Sequence, residues 1–330
     1  MKIPINEDRS VNNPEENNTE SLASLSAESA VLRSYLASSK EFYEANDIPI
    51  SDTTWNQDTG EFVLEFVTTR TSQAYEGLCH GGFTAMLLDS ISRLSILGKK
   101  YQNDNFTDQI SIKYMRKVEV GATIRVIGKI DSNDEKHASV SAYIIDVSKP
   151  TKVLAKCSLL VGEDETNDGQ NKMEKKEENN NGKTLLKLSE NSNMLKDYLI
   201  SSQEFYTTNN IPIGDAVWNE EAGELTLDIK TSETNQGAEG VCQVGYISTL
   251  LDSIAGFPIF LESLKAGKIA LSDELLVNSF EKIKVGTTIR VVGKIGSIDD
   301  RKSKSSACIV DISNPERVLA RGSLTMNISK

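Results

Sequence analysis

Histidine and cysteine are scarce in this chain, and their scarcity limits the chemistry that it can carry. The sequence has 2 His and 4 Cys among 330 residues. The cysteines (Cys79, Cys157, Cys242 and Cys308) include no C-x-x-C pair, which disfavours a zinc site or a redox-active dithiol. We therefore expect no metal and no cofactor. Unpaired thiols favour a reducing compartment, with the cytoplasm as the default location.

Positive charge and long apolar runs are lacking too. The 36 Lys and Arg are outnumbered by 48 Asp and Glu, and the net charge of −12 argues against general nucleic-acid binding. No uninterrupted run of about eighteen apolar residues occurs, so no membrane span is expected. The opening stretch, MKIPINEDRSVNNPEENNTE, has neither the apolar core of a secretory signal nor the Arg-rich pattern of a mitochondrial presequence.

Internal repetition is what the sequence does have. Val31–Ile50 and Met194–Ile213 are identical at 12 of 20 positions without a gap. Val120–Ile130 and Val285–Ile295 are identical at 9 of 11. The chain is therefore a duplicated domain, and each copy has a length that is typical of an independently folding unit.

Between the copies lies a charged, Asn-rich segment, GEDETNDGQNKMEKKEENNNGK. It cannot bury enough apolar surface to offset the entropy of ordering, so it predicts a flexible linker. The predicted organisation is a disordered tail (1–25), a first domain (31–161), a linker (162–187) and a second domain (188–328). A linker of this length lets the two domains pair face to face within the chain.

Both copies have the same order of predicted elements. A short helix, Leu32–Asn46 or Leu195–Asn209, is followed by a strand with alternating apolar residues, then by an apolar helix and further strands. A helix that is apolar nearly all round, followed by strand after strand, predicts an antiparallel sheet wrapped around that helix. The expected fold class is α+β.

The copies diverge where the apolar helix begins. Copy one reads EGLCHGGFTAMLLDS from position 76, and copy two reads EGVCQVGYISTLLDS from position 239. The His-Gly of copy one is therefore Gln-Val in copy two. Asp89 and Asp252 occupy equivalent places, nine residues after His80 and Gln243 respectively.

This HGG turn, with VGATIRVIGKI and VLAKCSLLV after it, resembles that of the hotdog-fold acyl-CoA thioesterases. The resemblance is to the branch that includes the acyl-CoA and hydroxybenzoyl-CoA thioesterases. It covers Tyr35–Val161 and, through the repeat, Tyr198–Met326. It implies two hotdog domains, each a five-stranded antiparallel sheet wrapped around a central helix. It also implies an acyl-CoA substrate, with coenzyme A as part of that substrate, and it leaves a homodimer open.

The resemblance further implies sites at the junctions between the domains. In the family each site takes its HGG turn from one domain and its acid from the helix of the other, and a strand hydroxyl holds the water. The junction expected to work combines His80, Gly81, Gly82, Asp252 and Ser272. The junction expected to be silent combines Gln243, Gly245, Asp89 and Thr107, with Val244 where the backbone should meet the substrate.

These residue types suit thioester hydrolysis. Backbone N–H groups at a helix N-terminus carry partial positive charge and can stabilise an oxyanion. Gly81 and Gly82 have no Cβ, so an acyl group can approach their backbone closely. Asp252 could act as general base or nucleophile. His80 is expected to fix the loop or the substrate rather than to act as the base.

Other interpretations of the same residues stay open. The two helix aspartates could have structural partners, although a charge inside an apolar helix is costly to bury. The glycines could simply form a tight turn. Four basic residues could meet coenzyme A phosphates or be merely solvated: Lys99, Lys100, Arg116 and Lys117.

The family often has an Asn six residues before the His, where this chain has Ala74 and, in copy two, Gly237. An orienting contact is therefore in doubt. A non-catalytic acyl-CoA-binding or scaffold protein is the main alternative to an enzyme. A hotdog hydratase is disfavoured, because the sequence has no convincing Asp/His hydratase pair.

Overall fold

The computed structural model describes residues 19–98, 106–133, 137–162, 182–238 and 240–329. The first copy contains helices α1 (Leu22–Glu28), α2 (Ala30–Ser38), α3 (Lys40–Ala45) and α4 (Gly81–Gly98), and strands β1 (Thr19–Ser21), β2 (Thr54–Asn56), β3 (Glu61–Val67), β4 (Gln73–Tyr75), β5 (Leu78–Cys79), β6 (Phe106–Tyr114), β7 (Thr123–Asn133), β8 (Ala138–Asp146) and β9 (Lys149–Gly162). The second contains helices α5 (Leu185–Ser189), α6 (Asn193–Ser201), α7 (Gln203–Thr208) and α8 (Val244–Lys265), and strands β10 (Lys183–Thr184), β11 (Val217–Asn219), β12 (Glu224–Lys230), β13 (Ile269–Ser279), β14 (Thr288–Ser297), β15 (Lys302–Asp311) and β16 (Asn314–Ser329).

The two copies share one continuous antiparallel sheet. Its 14 strands run β1-β2-β3-β7-β8-β9-β6 in copy one and continue as β13-β16-β15-β14-β12-β11-β10 in copy two. The half-sheets join where β6 pairs with β13, with Ile112 opposite Leu275. Each half contains five long strands, extended at its outer edge by two short ones. The expected α+β architecture is confirmed.

The central helices α4 and α8 lie on the inner face of this sheet and pack against each other. Alternating side chains of β3 (Phe62, Leu64 and Phe66) are buried beneath them. A Cβ at Gly128 of β7 would collide with Ile91 of α4, and one at Gly293 of β14 with the backbone of Ile254 of α8. The glycine shared by the two VxGKI segments therefore lets each helix approach its sheet closely.

Helix α8 is long and apolar enough to cross a bilayer by length and composition, with a mean hydropathy of 1.5. The sequence has no unbroken apolar run, but the average over the helix still reaches that level. In the structure, 94% of the 18-residue stretch of α8 over which this mean is taken is buried inside the protein, as in the core helix of a globular domain.

Reciprocal hydrogen bonds tie the copies together outside the sheet. The Gln73 side chain donates to the carbonyl of Ser201 at 3.2 Å, and the equivalent Gln236 donates to the carbonyl of Ser38 at 3.0 Å. Near the centre, Asn209 Nδ2 donates to Oδ1 of its counterpart Asn46 at 3.0 Å. The copies are thus related by an approximate two-fold axis within one chain.

Two expected boundaries are wrong. Thr19–Ser21 pairs with Thr54–Asn56, and the side chains of Leu22 and Leu25 are buried, so residues 19–25 are not a disordered tail. Likewise Lys183–Thr184 pairs with β11 and Leu185 is fully buried, so the linker does not extend to residue 187. The leucines bury enough apolar surface to offset ordering. Residues 1–18 and 163–181 lie outside the described ranges.

The first predicted helix of each copy is also two helices rather than one. Ser39 separates α2 from α3 and donates its hydroxyl to the carbonyl of Tyr35 at 2.7 Å. Ser202 does the same to the carbonyl of Tyr198 in copy two. A serine that bonds to the preceding turn competes with the helical ladder, which explains the break.

Candidate active site

One junction combines His80, Gly81 and Gly82 of copy one with Asp252 and Ser272 of copy two, and we call it the open junction. At this junction His80 caps the central helix of copy one. Its Nδ1 accepts a hydrogen bond from the N–H of Gly82 at 2.9 Å. Its Nε2 lies 2.9 Å from the hydroxyl of Tyr206 in copy two, and its ring stacks on Phe205 with centroids 4.4 Å apart. These contacts hold the turn in one orientation across the junction.

His80 is neutral in this setting. Because Nδ1 accepts from Gly82, the ring proton belongs on Nε2, which donates to Tyr206. Burial of the imidazole lowers the pKa of His80 to about 3, because the charged form is poorly solvated. A histidine with this pKa and an occupied Nδ1 is a helix cap rather than a general base.

Asp252 and Ser272 of copy two face the HGG turn of copy one. A Cβ on Gly81 would lie 2.9 Å from Asp252 Oδ2 and 3.3 Å from Ser272 Oγ, so any other residue there would have to displace the carboxylate or the turn. The Ser272 hydroxyl donates to Asp252 Oδ1 at 3.0 Å. Asp252 Oδ2 is also 3.6 Å from His80 Nδ1. The structure thus brings together all five residues that sequence assigned to this junction.

The Asp252 carboxyl is poised to exchange a proton near neutral pH. Burial raises the pKa of Asp252 from 3.8 to about 6, although hydrogen bonds from Ser272 and from the Gly82 N–H oppose the rise. An acid with a pKa near 6 is ionised at pH 7 and yet is a better base than an exposed aspartate.

A cavity of about 330 Å³ opens beside these groups. His80, Gly81, Asp252 and Ser272 are among its lining residues. Aromatic side chains of copy two also line it, and we call them the aromatic wall: Tyr198, Phe257 and Phe260. Met115, Arg116 and Lys117 of copy one line it too and are exposed at the surface, so we call them its mouth.

The three rings of the aromatic wall contact one another. The ring of Tyr198 meets that of Phe257 edge-on at 5.3 Å and that of Phe260 at 4.7 Å. Copy one has Leu94 and Leu97 at the places of the two phenylalanines. This wall is therefore particular to the open junction.

The second junction combines Gln243, Val244 and Gly245 with Asp89 and Thr107, and we call it the closed junction because, among the described residues, its acid is the more completely buried of the two. Asp89 is fully buried, and its Oδ2 accepts a hydrogen bond from the Gly245 N–H at 2.9 Å. Val244 is 3% exposed and Gln243 is 2% exposed, so this turn is buried, as His80 is at the open junction. Gln243 Nε2 lies 3.4 Å from the hydroxyl of Tyr35, which is the counterpart of Tyr198, whereas His80 contacts Tyr206.

Arg93 accounts for much of this difference. It follows Asp89 by one helical turn, and its NH2 group donates to Thr107 Oγ1 at 2.7 Å. Burial raises the pKa of Asp89, and the positive charge of Arg93 opposes that rise. The equivalent residue in copy two is Gly256, which lines the cavity of the open junction. An arginine therefore occupies one junction where a glycine leaves space in the other.

Comparisons with known proteins agree with this architecture. No protein-family model and no curated protein sequence matches the chain. A protein from Novosphingobium aromaticivorans assigned as a thioesterase matches by structure, with a TM-score of 0.56 and 10% identity, over 84% of this chain and 98% of that one. An acyl-CoA thioesterase II from Mycobacterium marinum matches with a TM-score of 0.54 and 8% identity, over 87% and 98%.

A third match is a conserved protein with a hot dog fold from Alicyclobacillus acidocaldarius, with a TM-score of 0.51 and 7% identity. It covers 82% of this chain and 93% of that one. The fold of this chain is a double hotdog. Each hotdog unit supplies one central helix and half of the shared sheet, and the junctions between the units hold the two candidate sites.

The remaining expected residues of the double hotdog fall as follows. Ala74 lines the cavity, so the place of the family's usual Asn faces the open junction without an amide. Arg116 and Lys117 are at the mouth, and Lys99 and Lys100 lie outside the described residues. Within the described ranges no group of three or more His, Cys, Asp or Glu side chains could hold a metal ion.

Sequence reasoning missed Arg93, Gly256 and Tyr114. The Arg93–Gly256 difference is visible when the two copies are aligned, because it puts a cation four residues after an aspartate in an apolar helix. Tyr114, which lines the cavity, stands opposite Ser279 in that alignment, but nothing in the sequence says that its side chain faces the turn.

Proposed function

We propose that the protein hydrolyses acyl thioesters, with an acyl-CoA as substrate, at the open junction only. The observation that carries the proposal is the meeting of Gly81, Asp252 and Ser272 at one wall of a cavity. Thioester hydrolysis needs a carbonyl held by donors and a water beside a base, and these residues supply those parts. The thioesterases that share the fold support the same reaction class.

In the proposed reaction Asp252 is the general base. Its carboxylate takes a proton from a water that lies beside both the carboxylate and the Ser272 hydroxyl, and the water oxygen bonds to the thioester carbonyl carbon. The carbonyl electrons move onto the oxygen, which is stabilised by N–H groups of the first turn of α4 other than that of Gly82, because the Gly82 N–H is bonded to His80. The C–S bond then breaks, Asp252 returns the proton to sulfur, and a carboxylic acid and a thiol leave.

His80 supports this reaction without exchanging the proton. As a neutral cap it holds the Gly82 N–H at 2.9 Å and so fixes the first turn of α4. The first intrahelical bond runs from the Thr84 N–H to the His80 carbonyl, so the earlier N–H groups are not used within the helix. Gly81 leaves room for the substrate carbonyl to approach them.

The chemical character of the residues that line the cavity suggests the orientation of the substrate. The aromatic wall, with Tyr198, Phe257 and Phe260, suits an uncharged acyl group. The mouth, with Arg116 and Lys117, suits the phosphates of coenzyme A. Copy two has Glu281 at the place of Arg116 but keeps a lysine, Lys282, at the place of Lys117, so only the charge of Arg116 is particular to the open junction.

The first test is thiol release from a panel of acyl-CoA substrates with short, medium, long and aromatic acyl groups. Asp252→Asn should lower kcat by roughly 100–10,000-fold, as expected for loss of a general base. The matched control, Asp89→Asn, should retain turnover. If the wild-type protein cleaves no thioester, the proposal fails. If Asp89→Asn alone is inactive, the assignment of the junctions is wrong.

A second test asks whether coenzyme A is the thiol part of the substrate, by changing Arg116 at the mouth of the cavity. Arg116→Glu imports the residue of copy two and should raise the KM for an acyl-CoA by roughly 10-fold, because it replaces attraction of phosphate by repulsion. The KM for the matching acyl-pantetheine, which lacks those phosphates, should not change. Lys282→Glu in copy two is the control for the change in net charge. An equal effect on both substrates would contradict the assigned orientation.

Ala74 favours one second candidate, a protein that binds an acyl-CoA without cleaving it. At this position the cavity lacks the amide that the family commonly uses to orient the substrate. A non-catalytic binder would be stabilised by an acyl-CoA in a melting experiment but would release no thiol. Ala74→Asn should then raise turnover from an undetectable level if the missing amide is the cause.

A further inference from the structure

Tyr114 lies at the seam where the two half-sheets meet. It is the last residue of β6, the strand that pairs with β13, which carries Ser272. Ile110 and Ile112 precede it at alternate positions and are fully buried beneath the helices. Because side chains alternate along a strand, Tyr114 also points to the helix layer, and its ring lines the cavity.

The Tyr114 hydroxyl contacts the backbone of the HGG turn. It donates a hydrogen bond to the carbonyl oxygen of Gly81 at 3.2 Å. That carbonyl belongs to the same peptide unit as the Gly82 N–H, which donates to His80 Nδ1 at 2.9 Å. A peptide unit is planar, so holding its oxygen and its hydrogen at opposite ends fixes the plane. Tyr114 and His80 therefore clamp one peptide from both sides.

The Tyr114 hydroxyl keeps its proton, and so can donate a hydrogen bond, at every pH at which Asp252 changes its ionisation. Burial, and then the nearby charge of Asp252, raise the pKa of Tyr114 well above its ordinary value. The phenol therefore keeps its proton while Asp252 ionises.

The closed junction has no counterpart of this clamp. The residue equivalent to Tyr114 is Ser279, whose side chain is too short to cover the reach of a phenol ring. The residues equivalent to Gly81 and His80 are Val244 and Gln243, and Gln243 makes no side-chain cap of α8. Tyr114 thus differs between the copies together with the turn that it touches.

We infer that Tyr114 is a positioning residue for thioester hydrolysis, acting by holding the Gly81–Gly82 peptide so that the first turn of α4 presents its N–H groups to the substrate carbonyl. The inference rests on the proposed function. It names a residue that acts through the turn rather than on the water. An oxyanion site is effective only when its donors are already oriented, so loosening this peptide should slow the chemical step more than substrate binding.

The test compares Tyr114→Phe with Ser279→Ala, its equivalent in copy two. Tyr114→Phe keeps the ring in the cavity and removes only the hydroxyl. It should lower kcat by about 10-fold, the scale of one hydrogen bond, and leave KM within about two-fold. Ser279→Ala should change neither constant. A fall in kcat/KM that comes from KM alone would mean that Tyr114 only contacts the substrate, and would overturn the inference.

A second measurement does not depend on turnover. In protein labelled with 15N-glycine, the amide resonance of Gly82 should shift, and its hydrogen exchange should accelerate, in Tyr114→Phe but not in Ser279→Ala. An unchanged Gly82 amide would overturn the inference even if the enzyme is active. A changed amide in a protein that cleaves no thioester would uphold the clamp and reject the proposed function, so the two failures can be told apart.

Discussion

The open and closed junctions are built from equivalent central helices and long strands, yet among the described residues Asp252 lines a cavity, whereas Asp89 is fully buried against the facing helix. At the open junction the residues next to the acid are Gly81 and Gly256. At the closed junction the equivalent residues are Val244 and Arg93. Two glycine positions therefore distinguish the surroundings of Asp252 from those of Asp89, although the central helix and the five long strands follow one another in the same order in both copies.

The comparison also shows which contacts Asp89 makes at the closed junction. Its carboxylate accepts the Gly245 N–H at 2.9 Å and lies near the charge of Arg93, so it is a structural partner of the facing helix. Asp252 keeps the equivalent relation to Gly82 but has Ser272 in place of a cation. The two equivalent aspartates thus differ in role: Asp89 contributes to packing at the closed junction and, by our proposal, Asp252 to catalysis at the open junction.

Among exchanges of residues between the two junctions, the largest effect is expected when Gly81 is replaced by its counterpart in copy two, valine. Gly81→Val places a branched side chain against the Asp252 carboxylate, where even one Cβ would come within 2.9 Å. Displacing the acid or the turn should lower kcat/KM by about 100-fold or more. The reverse change, Val244→Gly, is the matched control and should leave the activity of the open junction unchanged. Steady-state kinetics on both variants measure the difference.

Filling the chamber from the other wall should have the next largest effect. Gly256→Arg imports Arg93 into the open junction and should lower kcat/KM by roughly 10–200-fold, because the side chain takes space that the acyl group needs. Gly256→Ala is the control, since a Cβ there meets no atom closer than 3.4 Å. Equal kinetics for the arginine and alanine variants would show that the acyl group does not lie beside Gly256.

Removing the cation from the closed junction should cost stability rather than activity. Arg93→Met leaves the buried Asp89 without its compensating charge, and we expect a loss of about 3 kcal/mol in the free energy of unfolding. Asp89→Asn in the same chain should restore part of the loss. Arg125→Met, which breaks an exposed pair with Glu65, is the control and should cost less than about 1 kcal/mol. Urea denaturation distinguishes these variants.

The two junctions should also differ in their dependence on pH, because Asp252 has a raised pKa at the open junction. Because its pKa is raised to about 6, kcat/KM should fall about ten-fold per unit below that pH and level off above it. The raised pKa also means that folding favours the protonated acid. Stability from this group is therefore present below pH 3.8 and lost as the pH rises through about 6.

Asp252→Asn should consequently be more stable than the wild-type protein above pH 6, by about 2–3 kcal/mol, with the difference shrinking towards pH 4. Melting temperatures measured across this range provide the check. A difference that does not change with pH would mean that the acid is not desolvated in the folded protein.

Much of the site could be predicted by aligning the two copies and noting the family-like turn. His80, Gly81, Asp252 and Ser272 were assigned to one junction from spacing and from that resemblance, and they meet in the structure. Arg93 could have been found by the same alignment, since it stands where copy two has Gly256. Its importance was hidden because a charge near a helix end is usually solvated.

The sequence by itself determined the duplication, the α+β class and the identity of the divergent turn, because repeats and periodic apolar residues are local properties of the chain. Only the tertiary structure decided which side chains fill each junction. Tyr114 meets Gly81 across 33 positions and Gly245 meets Asp89 across 156, and such contacts depend on how the helices and the half-sheets pack. Residue patterns do not encode which side chains such packing brings together.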